Sequence, residues 1–500
     1  MKNLKKILSL LLVLAMVLSV AACGKTEEKK PEEPKKTEGE KKDEGEKKPD
    51  EKKPAEDVTV TYLVLGSGTD KDEVTAKINE RLAELKAGYK VELVLYGWDN
   101  YGEKLGLAAR GTGDKFDIAT VASWLGPYGT LVNEETLLDL KDLLPKAAPV
   151  LKETLTQTQL DGAMMKGGLY AIPTRATAVH ARDYFVWNVK ALEEIGVKVE
   201  EVAALRTVES LEPVLAKYKE KYPDRFPLDG GSEWAIRRVD SLVNTDKDGK
   251  AVIGNMFATP EFKKALEVIK GFAEKGYISP EAGSDQYKQD EPDQWLVKRA
   301  EGEPGAEALW TDGFKTPVKA VLTAEDIFTR SDMIQGKMTA VYKHSKNPEQ
   351  ALNFIEKIAT DATIQNLLAW GIEGKHYTLK DGKAVATEAR NEGWNLWQNQ
   401  LVSDKTRLPN PLQKAQDDPA LVEEVKAFEA ELKPAADLGF TPSAAYLEKF
   451  AAIKAVKDKH YKALARGKME TYDQFLKDLE AAGIKEAVEM LQKEYDAWKK

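Results

Sequence analysis

The feature that most constrains the fold of this chain is a regular alternation of apolar strands and amphipathic helices that starts near Val58. The predicted strands cover residues 58–65, 91–96 and 116–121, and the predicted helices cover about 71–86 and 101–110. Strands and helices in this order predict parallel pairing through right-handed crossovers, which is the beginning of an α/β sheet. Ligands of such sheets bind beyond the carboxyl ends of the strands.

The residues before this sheet predict export and lipid attachment. Lysines precede an apolar run from Ile7 to Val20, which is too short for a spanning helix and has the length of the apolar part of a signal peptide. The small residues before Cys23 resemble a lipobox, which implies a signal peptide over residues 1–22 and acylation of Cys23, palmitate included. Cys23 is the only cysteine of the chain, so no intramolecular disulfide can form.

Residues 23–56 predict a disordered tether after the acylated cysteine. From residue 24 onward the segment alternates lysines with acidic doublets and prolines, and it contains no aromatic residue. It buries too little apolar surface to offset the entropy lost on ordering. Roughly 440 residues follow, which is more than one ordinary core accommodates and predicts two lobes.

Composition and motifs exclude several functions. The net charge of −9 argues against nucleic-acid binding, which needs a basic surface. The signatures of zinc proteases, serine hydrolases and phosphate loops do not occur, and residues 246–249 match only part of a calcium loop, which predicts a plain turn. A glycosidase needs only two carboxylates, so a secreted surface glycosidase stays open as an alternative. A peptide-binding protein and an adhesion or scaffold lipoprotein also stay open.

Four short motifs follow one another in an informative order. They are Phe-Asp-Ile-Ala at 116–119, Gly-Gly-Leu-Tyr-Ala-Ile-Pro at 167–173, Asn-Pro-Glu-Gln-Ala at 347–351 and Gly-Ile-Glu-Gly-Lys-His-Tyr at 371–377. In this order they resemble the extracellular solute-binding lipoproteins of sugar-type ABC importers (family 1). The last motif resembles a Gram-positive subgroup that ends in a domain of unassigned role. The chain departs from that subgroup at residues 443–446, where a Val-Lys-Thr run is common.

The resemblance implies a two-lobed α/β fold of the periplasmic-binding-protein type (type II), with a mainly parallel sheet flanked by helices in each lobe. We expect the first lobe at 57–172 with a return segment near 315–370, and the second lobe at 173–314. A mostly helical region at 371–500 is expected to pack on the second lobe. The implied function is capture of an oligosaccharide or related sugar between the lobes, and its delivery to ABC importer permease subunits at the outer face of the cell membrane. The implied protein is not an enzyme and needs no cofactor or metal.

Aromatic and polar side chains in loop contexts are the candidate ligand contacts. Sugar rings stack their C–H faces on aromatic rings, while polar side chains read the hydroxyl groups, and a cleft of that mixture is typical of small-ligand sites. Some candidates follow strands of the first sheet, some lie in predicted loops of the second lobe, and Arg175 follows the crossing between lobes. The candidates are Trp124, Tyr128, Trp234, Trp310, Asp312, Trp370, Arg175, Asp70 and Trp98.

A structural role competes with ligand contact at some of these positions. Asp70, with Glu73 three residues later, matches a capping box at the start of the first helix. The resemblance implies that Trp98 packs against the helix that follows it, because the family often has a Trp-x-x-Tyr run with that role here. Helical spacing instead predicts core positions for Trp394, Trp397 and Trp498.

We predict that Cys23→Ala leaves the protein uncleaved or releases it into the medium, because the acyl chains that hold it to the membrane cannot be attached. Cell fractionation and metabolic labelling with an alkyne fatty acid measure this, with Thr26→Ala in the tether as the control. A Cys23→Ala protein that stays in the membrane and still incorporates the label would refute the lipoprotein interpretation.

Overall fold

A computed structural model of the protein describes residues 58–125, 128–174, 182–228, 242–282, 291, 293–323, 328–403, 405–415 and 418–500. The predicted signal peptide, Cys23 and the tether lie outside these residues, as do Arg175 and Trp234. Among the described helices, none combines the length and the apolarity that crossing a bilayer requires.

The strands are β1 (Thr59–Ser67), β2 (Lys90–Tyr96), β3 (Ile118–Val121), β4 (Met164–Met165), β5 (Gly168–Leu169), β6 (Ala171–Pro173), β7 (Arg182–Asn188), β8 (Val243–Thr245), β9 (Ala251–Ile253), β10 (Val297–Gly302), β11 (Val318–Leu322), β12 (Phe328–Thr329), β13 (Met338–Val341), β14 (Tyr377–Lys380), β15 (Lys383–Ala386), β16 (Asn395–Leu396) and β17 (Lys433–Pro434).

The α-helices are α1 (Lys71–Glu84), α2 (Tyr101–Ala109), α3 (Tyr128–Asn133), α4 (Leu144–Ala147), α5 (Pro149–Thr154), α6 (Gln157–Ala163), α7 (Val189–Glu194), α8 (Val199–Val202), α9 (Glu212–Lys221), α10 (Pro260–Glu274), α11 (Ala306–Gly313), α12 (Ser331–Ile334), α13 (Pro348–Thr360), α14 (Ala362–Trp370), α15 (Glu388–Gly393), α16 (Pro419–Glu431), α17 (Ala444–Leu464), α18 (Tyr472–Ala481) and α19 (Ile484–Trp498).

The first sheet has the order β2-β1-β3-β13-β6, and the short β16 pairs with the carboxyl end of β1. β2 and β3 run parallel to β1, whereas β13 runs antiparallel to both β3 and β6. Residues 62–65 of β1 are all buried, because helices cover both faces of a parallel sheet. The predicted parallel pairing of the first three strands is confirmed.

The second sheet repeats this pattern of strand directions. β7 lies between β10 and β11 and runs antiparallel to both. Leu228 adds parallel bridges to Val297 in β10 and to Ile278. In each lobe, the first strand that the chain adds to the sheet after crossing from the other lobe, β13 or β7, runs antiparallel to its neighbours. In the first sheet the short β16 also runs antiparallel to β1.

Two of the predicted lobe boundaries are wrong. β11 pairs with β7 and belongs to the second lobe, so the return to the first lobe begins later than residue 315. The first-lobe core is built from residues 60–172 and 334–402, and it includes Trp394 and Leu396. The region 371–500 is therefore not one unit on the second lobe, because pairing of β16 with β1 draws its first part into the first lobe.

The carboxyl-terminal helices do pack on the second lobe, through α10. Phe262 and Leu266, in the first half of the apolar stripe of α10, share a core with α17, α18 and α19. Ile269 and Phe272, in the second half, pack in the core beneath the second sheet. One helix therefore joins the terminal bundle to that lobe.

We predict that Gly467→Ala destabilises this junction. Gly467 has φ +76°, and an added Cβ would lie 2.7 Å from the Cα of Lys270 on α10. The expected loss in free energy of unfolding combines about 1–2 kcal/mol for a left-handed alanine with about 1–3 kcal/mol for overpacking. Urea unfolding measures the loss.

Gly196→Ala is the matched control, because Gly196 also has a positive φ, +68°, with nothing within 4 Å of an added Cβ. Its free energy of unfolding should fall only by the about 1–2 kcal/mol that a left-handed alanine costs. Equal losses in the two variants would contradict the close contact with α10.

Candidate functional site

Three tryptophans meet at the carboxyl end of the first sheet. Trp98 follows β2, Trp124 follows β3 and Trp397 follows β16. The Trp98 and Trp124 rings are stacked, with centroids 6.1 Å apart and an interplanar angle of 18°. The Trp397 ring stands edgewise to both, at 5.3 Å from Trp98 and 5.6 Å from Trp124. We call these three side chains the aromatic platform.

Hydrogen bonds fix the platform to the sheet. The Trp124 indole N–H donates to the carbonyl of Gly336 at 2.8 Å, just before β13. The backbone N–H of Trp397 donates to the carbonyl of Leu65 in β1 at 3.1 Å. The first bond holds the Trp124 ring and the second holds the backbone of Trp397 in place before any ligand arrives, which lowers the entropy cost of binding.

The platform exposes much of its aromatic surface. Trp98 and Trp124 are each 56% exposed, while Trp397 is half-buried beneath them. Exposed apolar patches that are held rigidly on a monomer mark binding sites. The exposed faces therefore make the carboxyl end of the first sheet the candidate functional site.

A pocket of about 510 Å³ adjoins the platform. Its aromatic and polar lining side chains are Trp98, Trp370, Trp397, Ser67, Arg390, Asn395, Gln398 and Asn410. The volume and the mixed lining are those of a site for a small molecule or for one end of a larger one.

Two predicted contacts, Tyr128 and Trp370, are buried, but only Trp370 lines the pocket. Tyr128 is fully buried, and its hydroxyl donates to the carbonyl of Ala163 at 2.9 Å, because α3 begins at this residue and turns it inward. The prediction that Tyr128 contacts ligand is therefore wrong. Trp370 borders the pocket but is only 5% exposed, and its indole N–H donates to the carbonyl of Leu408 at 2.9 Å.

Asp70 neither caps α1 nor borders the pocket. Its carboxylate accepts hydrogen bonds from His376 Nε2 and from Lys375 Nζ, both at 2.9 Å, and no side-chain cap forms on α1. His376 is fully buried, and its Nδ1 accepts the N–H of Ile372 at 2.9 Å, which assigns the ring proton to Nε2. The bonds to His376 and Lys375 lower the pKa of Asp70. The capping prediction is wrong because tertiary partners take the carboxylate.

The second-lobe candidates in the described residues lie in a helix rather than a loop. Trp310 and Asp312 are part of α11. The Trp310 ring packs edgewise on Tyr184 at 5.4 Å, and Asp312 is exposed and pairs with Lys315 at 3.3 Å. Neither residue lines the described pocket. Trp234 and Arg175 lie outside the described residues, so their predicted contacts remain untested.

The three tryptophans predicted for the core differ in their burial and position. Trp394 is fully buried, as predicted. Trp498 is 41% exposed on the last turn of α19, where it covers Phe440 and Tyr495, so the prediction of a full core position is wrong. Trp397 belongs to the platform, because residues 395–397 form a strand and turn instead of a helix.

Residues 246–249 form the turn of the β8–β9 hairpin, as predicted. The Asp246 carboxylate accepts the backbone N–H groups of Asp248 at 2.9 Å and Lys250 at 2.8 Å. No cluster of potential metal ligands occurs among the described residues.

The chain has two lobes with similar sheets, and an aromatic and polar pocket lies at the carboxyl end of the first sheet. These features are typical of a solute-binding protein. A family model described as bacterial extracellular solute-binding protein matches residues 75–372. The chain belongs to this family, which confirms the resemblance inferred from the motifs and gives the protein an extracellular role.

Known proteins share most of the fold. The carbohydrate ABC transporter substrate-binding protein of Streptococcus pneumoniae serotype 4 is 24% identical over 380 residues, covering 70% of this chain and 74% of the relative. The structure of the N-glycan transport solute-binding protein NgtS of S. pneumoniae matches with a TM-score of 0.71 and 22% identity, covering 88% of this chain and 98% of NgtS. Its complex with Man1GlcNAc matches with a TM-score of 0.64 at the same identity, covering 88% of this chain and 99% of that one.

We predict that Asp70→Asn lowers the melting temperature at neutral pH. The lowered pKa of Asp70 means that its stabilising effect is complete above the ordinary aspartate pKa of about 3.9 and is lost as the pH falls through the lowered value. The difference between the variant and the original protein should therefore shrink below about pH 4. Thermal melts from pH 2 to pH 7 measure it.

Asp72→Asn is the control, because the Asp72 side chain is 94% exposed on the same helix. Asp72 pairs only with the neighbouring Lys71, at 3.2 Å, in the first turn of α1, so Asp72→Asn should lower the melting temperature much less than Asp70→Asn does. A constant difference between Asp70→Asn and the original protein at every pH would contradict the ionic role of Asp70.

Proposed function

We propose that this protein captures an oligosaccharide on the aromatic platform and delivers it to an ABC importer. The platform is the observation that carries the proposal. It presents two tryptophans, each 56% exposed, at the edge where α/β sheets bind ligands. Stacking on such faces suits the apolar C–H faces of sugar rings, and the amide and hydroxyl groups of the adjoining pocket suit their hydroxyl groups.

The relatives support the same ligand class. The pneumococcal relative is named as a carbohydrate transporter component, and NgtS has been crystallised with the disaccharide-type ligand Man1GlcNAc. The platform and a polar pocket beside it extend over more than one sugar ring, which favours an oligosaccharide over a monosaccharide.

Capture proceeds by closure of the second lobe over a ligand held on the first. The platform and pocket are built from first-lobe residues and from the segment after β15, so they form without the second lobe. Contacts between the bound ligand and the second lobe then favour the closed arrangement, and hinge closure of this kind is established for binding proteins of this shape. The closed form is the one that the permease subunits recognise in this proposal.

We also propose that the protein performs no chemistry on its ligand. A glycosidase requires two carboxylates across the scissile bond, and no carboxylate is among the described residues that line the pocket. The proposal further includes cleavage after residue 22, acylation of Cys23 and attachment to the outer face of the membrane through the tether. The order of charged, apolar and small residues before Cys23 supports that part.

We predict that Trp98→Ala and Trp124→Ala each weaken oligosaccharide binding about ten- to hundredfold, since aromatic stacking contributes about 1–3 kcal/mol, by analogy with nucleobases. Both side chains are largely exposed, so melting temperatures should change little. Calorimetric titration with a panel of oligomannose and milk oligosaccharides measures affinity, and mass spectrometry of the recovered ligand tests whether it stays intact.

Trp498→Ala is the matched control, because Trp498 is also a partly exposed tryptophan but lies on the terminal helix α19. It should bind every oligosaccharide as the original protein does. The proposal fails if both platform variants keep full affinity, or if the original protein binds none of the panel. Cleaved ligand would favour a glycosidase instead.

A further inference from the structure

Arg390 is a pocket residue that has no opposite charge beside it among the described residues. It lies in α15 and lines the pocket next to the platform. One of its Nη2 hydrogens donates to the carbonyl of Ala369 at 2.8 Å, and its guanidinium lies 5.0 Å from the centre of the Trp370 ring. Its Nε is buried and has no partner among the described residues. No Asp or Glu of the described chain forms an ion pair with it.

Burial makes this unpaired charge costly. Desolvation lowers the pKa of Arg390, and no carboxylate of the described part of the chain raises it again. The carbonyl of Ala369, near the carboxyl end of α14, offers partial negative charge, and the Trp370 ring offers its negative face. These contacts orient the guanidinium without neutralising it, because each supplies less than one full charge.

The other lining residues indicate which kind of ligand can neutralise the charge of Arg390. Arg390 is the one charged residue among the described residues of the lining, whose other polar side chains are amides and the hydroxyl of Ser67. A single cation matches a singly charged anion better than it matches a phosphate that carries nearly two charges. Planar carboxylates also accept two parallel hydrogen bonds from a guanidinium.

We propose that this pocket binds a sugar acid, and that Arg390 pairs with the carboxylate of a uronic-acid or similar acidic residue in the captured oligosaccharide. The inference rests on the proposed function, since it assigns the acidic residue to a pocket beside a sugar-stacking platform. Trp98 and Trp397 border both features, so a chain stacked on the platform enters the pocket with its next ring. Asn395, Gln398 and Asn410 then face the hydroxyl groups of that ring.

The test compares two sugars that differ only at one carbon: methyl β-glucuronide, which carries a carboxylate, and methyl β-glucoside, which carries a neutral hydroxymethyl group. Binding is followed by ¹⁹F NMR of protein labelled with 5-fluorotryptophan, whose pocket tryptophans report occupancy. The original protein should bind the glucuronide at least tenfold more tightly than the glucoside. Arg390→Gln should remove that preference, and Arg390→Lys should keep part of it.

Two controls separate this role from others. Lys383→Gln removes a charge from β15. Lys383 is not a lining residue, although its Nζ donates to the carbonyl of the lining residue Pro411 at 3.2 Å, and the variant should keep the preference. The melting temperature of Arg390→Gln shows whether the variant is folded. Acetate, which has no sugar ring, should compete at least tenfold more weakly than the glucuronide.

The outcomes are distinguishable. Three results would overturn the assignment. The two methyl glycosides could bind equally, the preference for the glucuronide could survive in Arg390→Gln, or acetate could compete as strongly as the glucuronide does. Binding of neutral oligosaccharides together with rejection of the glucuronide would also overturn it and leave the proposed function standing. A protein that binds neither the glycosides nor any oligosaccharide would overturn both.

Discussion

The site depends on one buried amide. Gln400 has no exposed surface, and its Oε1 accepts the N–H of Leu65 at 2.8 Å and the hydroxyl of Thr120 at 2.6 Å. Its Nε2 donates to the carbonyls of Leu65 at 2.6 Å and Trp397 at 2.9 Å. A buried amide left without partners is strongly unfavourable, so these bonds fix the segment after β16 against β1 and β3. Trp397 reaches the platform because that segment is held there.

This arrangement completes the aromatic platform and the adjoining pocket within the first lobe. The loops after β2 and β3 supply Trp98 and Trp124, and a segment from far along the chain supplies Trp397 and Arg390. The buried His376, bonded to Asp70 and Ile372, ties the loop after β1 to the same segment.

Periodicity and turn residues in the sequence predicted those elements whose structure depends on residues close together in the chain. The strand and helix order from Val58 onward and the turn at residues 246–249 follow from periodicity and turn residues. Trp98 and Trp124 were accessible to the same reasoning, because the carboxyl ends of parallel strands share one edge of a sheet. The burial of Tyr128 was not accessible to this reasoning. Tyr128 is the first residue of α3 rather than a loop residue, and the helix turns its side chain inward.

The sequence by itself determined the α/β class, the two lobes, the family and the edge of the sheet that carries the candidate site, because each depends on residues close together in the chain. The tertiary structure alone decided which later residues complete that edge. Trp397 and Arg390 lie hundreds of residues after β1 and gain their positions from β16 and Gln400, and Asp70 leaves its helix cap for His376. Hydrogen bonds between such distant residues have no periodic signal in the sequence, since they depend on which surfaces meet after the chain has folded.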